Sequence, residues 1–171
     1  MPIKLIIGLG NPEPRYANTY HNVGASFAER LSVNLPDELR GTAVRVSKAH
    51  MNTSGAAVAA AVRGAGATPD QTLVVHDDSD IGLGSYKLSF GRGSAGHHGI
   101  EDIMAALGSD RFWRLRIGVR GAGNTARAES FVLTKISPQD HEKLEALFVS
   151  LARDLPRLLR GLPPTDLSYI G

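Results

Sequence analysis

Two side chains in this 171-residue sequence could together activate water: the imidazole of His21 and the carboxylate of Asp77. His21 lies in Thr19-Tyr20-His21-Asn22-Val23-Gly24, shortly after Gly8-Leu9-Gly10-Asn11-Pro12 and Tyr16. Asp77 lies in Val75-His76-Asp77-Asp78. Imidazole titrates near neutral pH and works as a general base, and a carboxylate beside it orients the ring. Asn11, Asn22 and Asn52 add amides, each with a donor and an acceptor, which suits a ligand containing peptide groups. For Asn22, helix capping is the expected role. Serine chemistry is disfavoured, because neither Ser54 nor Ser94 sits in a GxSxG elbow. Cysteine chemistry is excluded, because there is no cysteine. A hydrolase built on this chain would therefore use activated water.

Two other readings start from the same loops. Gly91-Arg92-Gly93-Ser94-Ala95-Gly96 has the spacing of a dinucleotide-binding turn. However, the strand after its helix ends in Arg120 rather than in a ribose-binding acid, and the motif begins halfway along a short chain. The same glycines could form a mobile lip whose bare N–H groups meet an anion. The run His76 to Asp80 has the acid density of a hard-metal loop. Adjacent Asp77 and Asp78 at a strand end would point apart, and no second acidic group completes a shell, so no metal is expected.

The elements that must position these groups follow from periodicity. Residues 3–9 read as a buried strand and 22–33 as an amphipathic helix, with Val23, Phe27 and Leu31 on one side. A strand is expected at 43–47, a helix at 56–63 capped by Asn52 or Ser54, and a strand at 72–76. Residues 85–90 alternate as a strand, 91–99 form a glycine-rich loop, and 100–107 a helix. Strands are expected at 115–119 and, briefly, at 131–133. Ser137-Pro138 starts a helix whose apolar stripe runs from Leu144 to Leu158, with Pro156 expected to kink or end it. The tail from Gly161 is expected to be loosely held. Strands alternating with helices predict an α/β fold over 1–171: one domain, with a mixed, mostly parallel twisted sheet covered by helices on both faces. His21 and Asp77 then sit on loops at strand ends, where open α/β sheets bind ligands.

Bulk properties narrow the class. Hydrophobic content of 42% and charge of 21% suit a water-soluble globular protein with a real core. No apolar run is long enough to cross a membrane. The lack of cysteine, and Met1-Pro2-Ile3-Lys4 leading straight into a strand, fit the cytoplasm. Net charge is only +2, yet Arg111, Arg114, Arg116, Arg120 and Arg127 fall in one stretch, with Lys87 and Arg92 just before it. Such a stripe suggests a face turned toward a polyanion.

Taken in order, Gly8-Leu9-Gly10-Asn11-Pro12, Tyr16, His21-Asn22-Val23-Gly24, Met51-Asn52-Thr53-Ser54-Gly55, His76-Asp77-Asp78, Gly96-His97-His98-Gly99 and Arg114-Leu115-Arg116-Ile117-Gly118-Val119 resemble bacterial-type peptidyl-tRNA hydrolases. The resemblance runs from about Lys4 to about Lys135. It implies hydrolysis of the ester joining a peptide to the 3′ ribose of tRNA, which recycles the tRNA. It also implies a monomer that needs no metal or organic cofactor. His21 would deprotonate the water, Asp77 would orient His21, and Asn11 would hold the peptide backbone. Tyr16, Met51, Asn52, His50 and His98 match substrate-contacting positions, and Lys87 and Arg116 match groups that meet tRNA phosphates. Three positions depart from the family pattern. His98 stands where asparagine is usual, His50 where an aromatic is usual, and Ser89 where a basic residue is common. They leave open an alternative, a diverged tRNA- or RNA-binding module with weak or no hydrolysis.

Overall fold

The structure is a computed structural model that describes residues 2–160. The tail from Gly161 lies outside the described residues. Five strands form one sheet: β1 (Leu5–Gly8), β2 (Ala43–Val46), β3 (Thr72–Gly82), β4 (Tyr86–Phe90) and β5 (Trp113–Arg120). Their order is β2-β1-β3-β5-β4. β1 pairs in parallel with β2 and β3, and β3 with β5, while β4 runs antiparallel to β5. The helices are α1 (Val23–Val33), α2 (Gly55–Gly64), α3 (His98–Leu107), the short α4 (Ala128–Phe131) and α5 (Pro138–Arg160).

Strand alternation sorts the apolar side chains onto two faces. Ile6, Leu73, Val75, Leu115 and Ile117 form one core with Phe27 and Leu31 of α1 and with Leu147, Phe148 and Leu151 of α5. Leu5, Ile7 and Val74 form the other with Val58 and Val62 of α2 and Ile100 and Ile103 of α3. Both faces are covered, as the alternation of elements predicts. Each fully buried Leu, Ile or Phe contributes about 1.5–3 kcal/mol, so these two layers hold the sheet between its helices.

The register creates the cleft. β1 ends where Gly8 pairs with Val75, whereas β3 continues beside β5 through Asp78 and rejoins it at Gly82 opposite Arg120. From His76 onward, β3 has no strand on its β1 side. The chain leaves β1 toward β2 on one side and returns to β3 on the other, so this gap is the point at which the strand order reverses. Two glycines let α1 close on it. A Cβ on Gly24 would lie 2.3 Å from the Val75 carbonyl oxygen, and one on Gly8 would lie 2.2 Å from that of Gly24. The start of α1 therefore rests directly on β1 and β3 and brings the residues just before it, including His21, to the open edge of β3.

Several elements differ from the sequence expectation. The strand expected at 72–76 runs to Gly82, so the acidic run is strand rather than loop; pairing with β5 carries it on. Residues 131–133 form no strand. Phe131 ends α4, and the following segment is held by isolated hydrogen bonds, His21 N–H to Val132 O at 2.7 Å and Ile136 N–H to Asn18 O at 2.8 Å. Pro156 does not end the last helix, which continues to Arg160 because Leu155, Pro156 and Leu159 are all buried there. α3 begins at His98, two residues earlier than periodicity suggests. Ser54 precedes α2, but its hydroxyl donates back to Met51 O at 2.8 Å, and the Gly55 N–H is instead received by Asp102 of α3 at 2.6 Å.

Candidate active site

His21 lies in a 3₁₀ turn, Tyr20–Asn22, between β1 and α1. Its Nδ1 is 2.8 Å from Asp77 Oδ1. The carboxylate can only accept, so Nδ1 carries the proton and Nε2 is left with its lone pair. Asp77 is 3% exposed at its side chain and His21 14%, so the carboxylate is enclosed while the imidazole reaches the cleft. Burial pushes the Asp77 carboxyl up. The hydrogen bonds and charge of His21 and His97 outweigh this and hold it below the usual carboxylate range. Asp77 is therefore ionised throughout the neutral range.

Asn11 and Asn22 clamp one wall. The Asn11 N–H donates to Asn22 Oδ1 at 2.9 Å, and Asn22 Nδ2 donates to the Asn11 carbonyl at 2.9 Å. Asn22 makes no side-chain cap on α1; its amide is spent on this reciprocal pair, which corrects the capping role expected for it. The Asn11 side-chain oxygen accepts the Met51 N–H at 2.7 Å, which leaves its NH₂ as the group to donate toward a ligand.

The cleft around these groups has a volume of about 440 Å³. Asn11, Tyr16, His50, Met51, Asn52 and His98 all line it with His21 and Asp77. His50 Nε2 lies 2.9 Å from Glu13 Oε1, and His98 Nδ1 lies 3.3 Å from Glu101 Oε2. Leu133, 44% exposed, gives the mouth an apolar edge.

Lys87 and Arg116 do not line the cleft. They face each other across β4 and β5. Arg116 Nη2 and Nε both lie 2.6 Å from Asp78 Oδ2. Arg114, Arg116 and Arg120 of the stripe are thus turned to internal partners, while Arg92, Arg111 and Arg127 remain exposed. Arg114 is 1% exposed and gives its Nη2 to the carbonyls of Arg92 and Gly93 at 3.1 and 2.9 Å. Burial, then the charge of Arg116, lowers Arg114 to about 10, and it stays charged at neutral pH. Arg120 reaches Ser79 O at 2.5 Å and Asn124 O at 2.9 Å. Two of these arginines brace the loops on either side of the cleft, and the one between them pairs with Asp78.

Sequence reasoning missed His97. Its Nε2 is 3.5 Å from Asp77 Oδ1 and its ring is 5.6 Å from that of His21. The glycine-rich loop signalled a lip to the cleft, but not which of two adjacent histidines turns inward. His76 is buried behind it, with Nδ1–H on the Asp77 carbonyl at 2.6 Å. Burial and the charge of His97 hold His76 well below the ordinary imidazole value, so it is neutral.

Among the described residues, His21, Asp77 and His97 place ligand-type atoms within 4.8 Å of one another. The donor set does not suit an ion. His97 Nδ1 accepts the Ile100 N–H at 3.3 Å, so its proton sits on Nε2 and faces Asp77, where a metal ligand would need a lone pair.

Fold and cleft together define a class: an α/β protein whose strand-order reversal carries a histidine–carboxylate pair with a lone pair turned to solvent. Residues 5–166 match the family model for peptidyl-tRNA hydrolase. The chain is 40% identical to a peptidyl-tRNA hydrolase of Teredinibacter turnerae, over 94% of this chain and 92% of that protein. It is 38% identical to one of Bordetella avium, over 94% and 87%. In three dimensions it is similar to an arginine-to-glutamine variant of the Acinetobacter baumannii peptidyl-tRNA hydrolase, with a TM-score of 0.81 and 30% identity, covering 93% of this chain and 89% of that one. The chain belongs to the peptidyl-tRNA hydrolase family.

Proposed function

We propose that this protein hydrolyses the ester between a peptide and the 3′ ribose of tRNA. The observation that carries this reading is the His21–Asp77 pair, joined at 2.8 Å in an open cleft beside the Asn11 amide. The peptide carbonyl accepts from the Asn11 NH₂, which favours acylated over free aminoacyl groups. His21 Nε2 takes a proton from water, and the resulting hydroxide adds to the ester carbonyl. Asp77 stabilises the imidazolium through Nδ1–H. When the tetrahedral adduct collapses, the bond to the ribose 3′ oxygen breaks, and that oxygen takes the proton from His21 Nε2. The products are the peptide's carboxylic acid, which loses its proton to solvent, and tRNA with a free 3′ hydroxyl. No step calls on a cofactor.

Tyr16, His50, Met51, Asn52 and His98 form the substrate-contacting walls. Lys87 supplies a phosphate contact at a distance from the cleft, and Arg116 shares its charge between Asp78 and the nucleic acid. Among the described residues no helix is long and apolar enough to cross a membrane, and the protein acts as a cytoplasmic monomer. The non-hydrolytic RNA-binding alternative is not favoured, because base, orienting carboxylate and Asn11 are assembled together.

Incubation with N-acetylated and free aminoacyl-tRNA tests this reading. Release of the acetylated amino acid, its loss in His21→Ala, and weaker discrimination in Asn11→Ala are expected. Equal turnover by wild type and His21→Ala would remove His21 from the mechanism.

A further inference from the structure

The Asp77 oxygen that receives His21 also faces a second imidazole. His97 Nε2 lies 3.5 Å from Asp77 Oδ1, while His21 Nδ1 lies 2.8 Å from the same atom. His97 Nε2 is buried and makes no hydrogen bond among the described residues; Asp77 Oδ1, at 3.5 Å, is the acceptor it faces. Its proton is placed by the far side of the ring, because Nδ1 accepts the Ile100 N–H in the first turn of α3. In its neutral form the ring can only present Nε2–H to the carboxylate. The ring is fixed in direction by an edge-on contact with His76, centroids 4.7 Å apart. The loop leading into it is clasped by Arg114 through the carbonyls of Arg92 and Gly93.

We infer that His97 is a positioning residue for the catalytic base: its Nε2–H, turned to the same Oδ1 of Asp77 that receives His21, restrains that oxygen and divides the carboxylate's charge between two imidazoles. The separation of 3.5 Å is at the outer limit of a hydrogen bond, so the contact restrains the carboxylate without displacing His21. The result is a base weaker than an unshared histidine–aspartate pair would make it, and one tied to the glycine-rich lip. This rests on the hydrolase reading only for the role of His21 as base; the shared carboxylate is a matter of geometry. Among the described residues, the other ionisable groups around the pair are His76, Asp78 and Asp80 from β3, Arg114 from β5, His98 and Glu101 from α3, Glu129 from α4, and Tyr16 and His50.

The sign of the test follows from the charge division. Removing the His97 donor leaves all of the Asp77 charge to His21 and strengthens its hold on the imidazolium, so His21 titrates at higher pH. His97→Leu removes the donor, and His97→Gln restores an N–H at nearly the same reach without a titrating ring. NMR of the His21 ring gives the titration without any need for turnover, and kcat/KM against pH gives the kinetic counterpart. In His97→Leu the His21 midpoint is expected to rise by about half to one pH unit. The acid limb of kcat/KM should move with it, and plateau kcat should fall several-fold as the carboxylate loses its second restraint. In His97→Gln both should return most of the way to wild type. An unmoved His21 midpoint in a folded His97→Leu protein would overturn the proposal, as would equal losses in both variants with no shift. If wild type shows no hydrolysis while the NMR midpoint still moves, the functional reading fails and the shared carboxylate stands.

Discussion

At the scale of single residues, one carboxylate organises the site. Asp77→Asn would present either an NH₂ that repels His21 Nδ1–H, forcing the proton onto Nε2, or a neutral oxygen that stabilises imidazolium poorly. kcat on acetylated aminoacyl-tRNA should fall by about 10²- to 10⁴-fold, the range general-base catalysis supplies, with circular dichroism unchanged. His76 gives a stability prediction. Its folded-state value is depressed, by burial first and the charge of His97 second. Its contribution is therefore complete above the unfolded value of about 6.5 and is lost as pH falls, because only the unfolded chain takes up the proton. The free energy of unfolding should drop between pH 7 and 5 with a slope approaching about 1.4 kcal/mol per pH unit from this group. His76→Leu should flatten that slope, and identical slopes in urea titrations of the two proteins would show that His76 is not the source. Residue type marked His21 and Asp77 from the sequence, because few side chains can act as bases or orient one, whereas Asn11 was distinguished from Asn22 and Asn52 by the family resemblance. Residue type did not mark His97, because its value lies in a direction that only the start of α3 sets.

At the scale of elements, close approach and bracing decide whether those residues meet. Gly24→Ala puts a Cβ 2.3 Å from the Val75 carbonyl oxygen, a backbone atom that cannot turn aside. The start of α1 must lift, and stability should fall by about 1–3 kcal/mol or more in chemical denaturation, with activity falling alongside as His21 leaves Asp77. The glycine's reason was invisible in the sequence, since the helix start and strand it touches are 51 positions apart (Gly24 and Val75). Arg114→Met removes the donor to the Arg92 and Gly93 carbonyls. Amide exchange across 91–97 should speed up by roughly 5- to 150-fold, matching about 1–3 kcal/mol of lost charge-assisted hydrogen bonding. Global stability should change little, because the substitution also removes Nη1, which is buried without a partner. Unchanged exchange in that loop would show that Arg114 does not brace it.

At the scale of the molecule, the question is how a chain of net charge +2 meets a polyanion. Charge counted along the sequence suggested a broad basic stripe, but β5 turns Arg114, Arg116 and Arg120 to internal carbonyls and to Asp78. The salt dependence of KM for tRNA substrates should accordingly be shallow, with each phosphate contact contributing a slope of about 0.7–0.9. Lys87→Ala should lower that slope by about one contact's worth, and Arg114→Met should leave it unchanged. An equal effect of the two substitutions would restore the continuous stripe.

Composition, apolar periodicity and the turn residues were enough by themselves to predict the α/β class and the helices on both faces, and residue type marked His21 and Asp77 as a candidate base and its partner; choosing Asn11 from among three asparagines rested on the family resemblance. Periodicity and residue type are local properties: a residue's chemistry and its spacing to near neighbours are written in the chain. Only the tertiary structure decided that β3 runs on past its partner β1 to open the cleft, that His97 rather than His98 faces Asp77, and that Arg114, Arg116 and Arg120 look inward. Each depends on which strand lies beside which and at what register, and those contacts join residues far apart in sequence whose pairing no local pattern encodes.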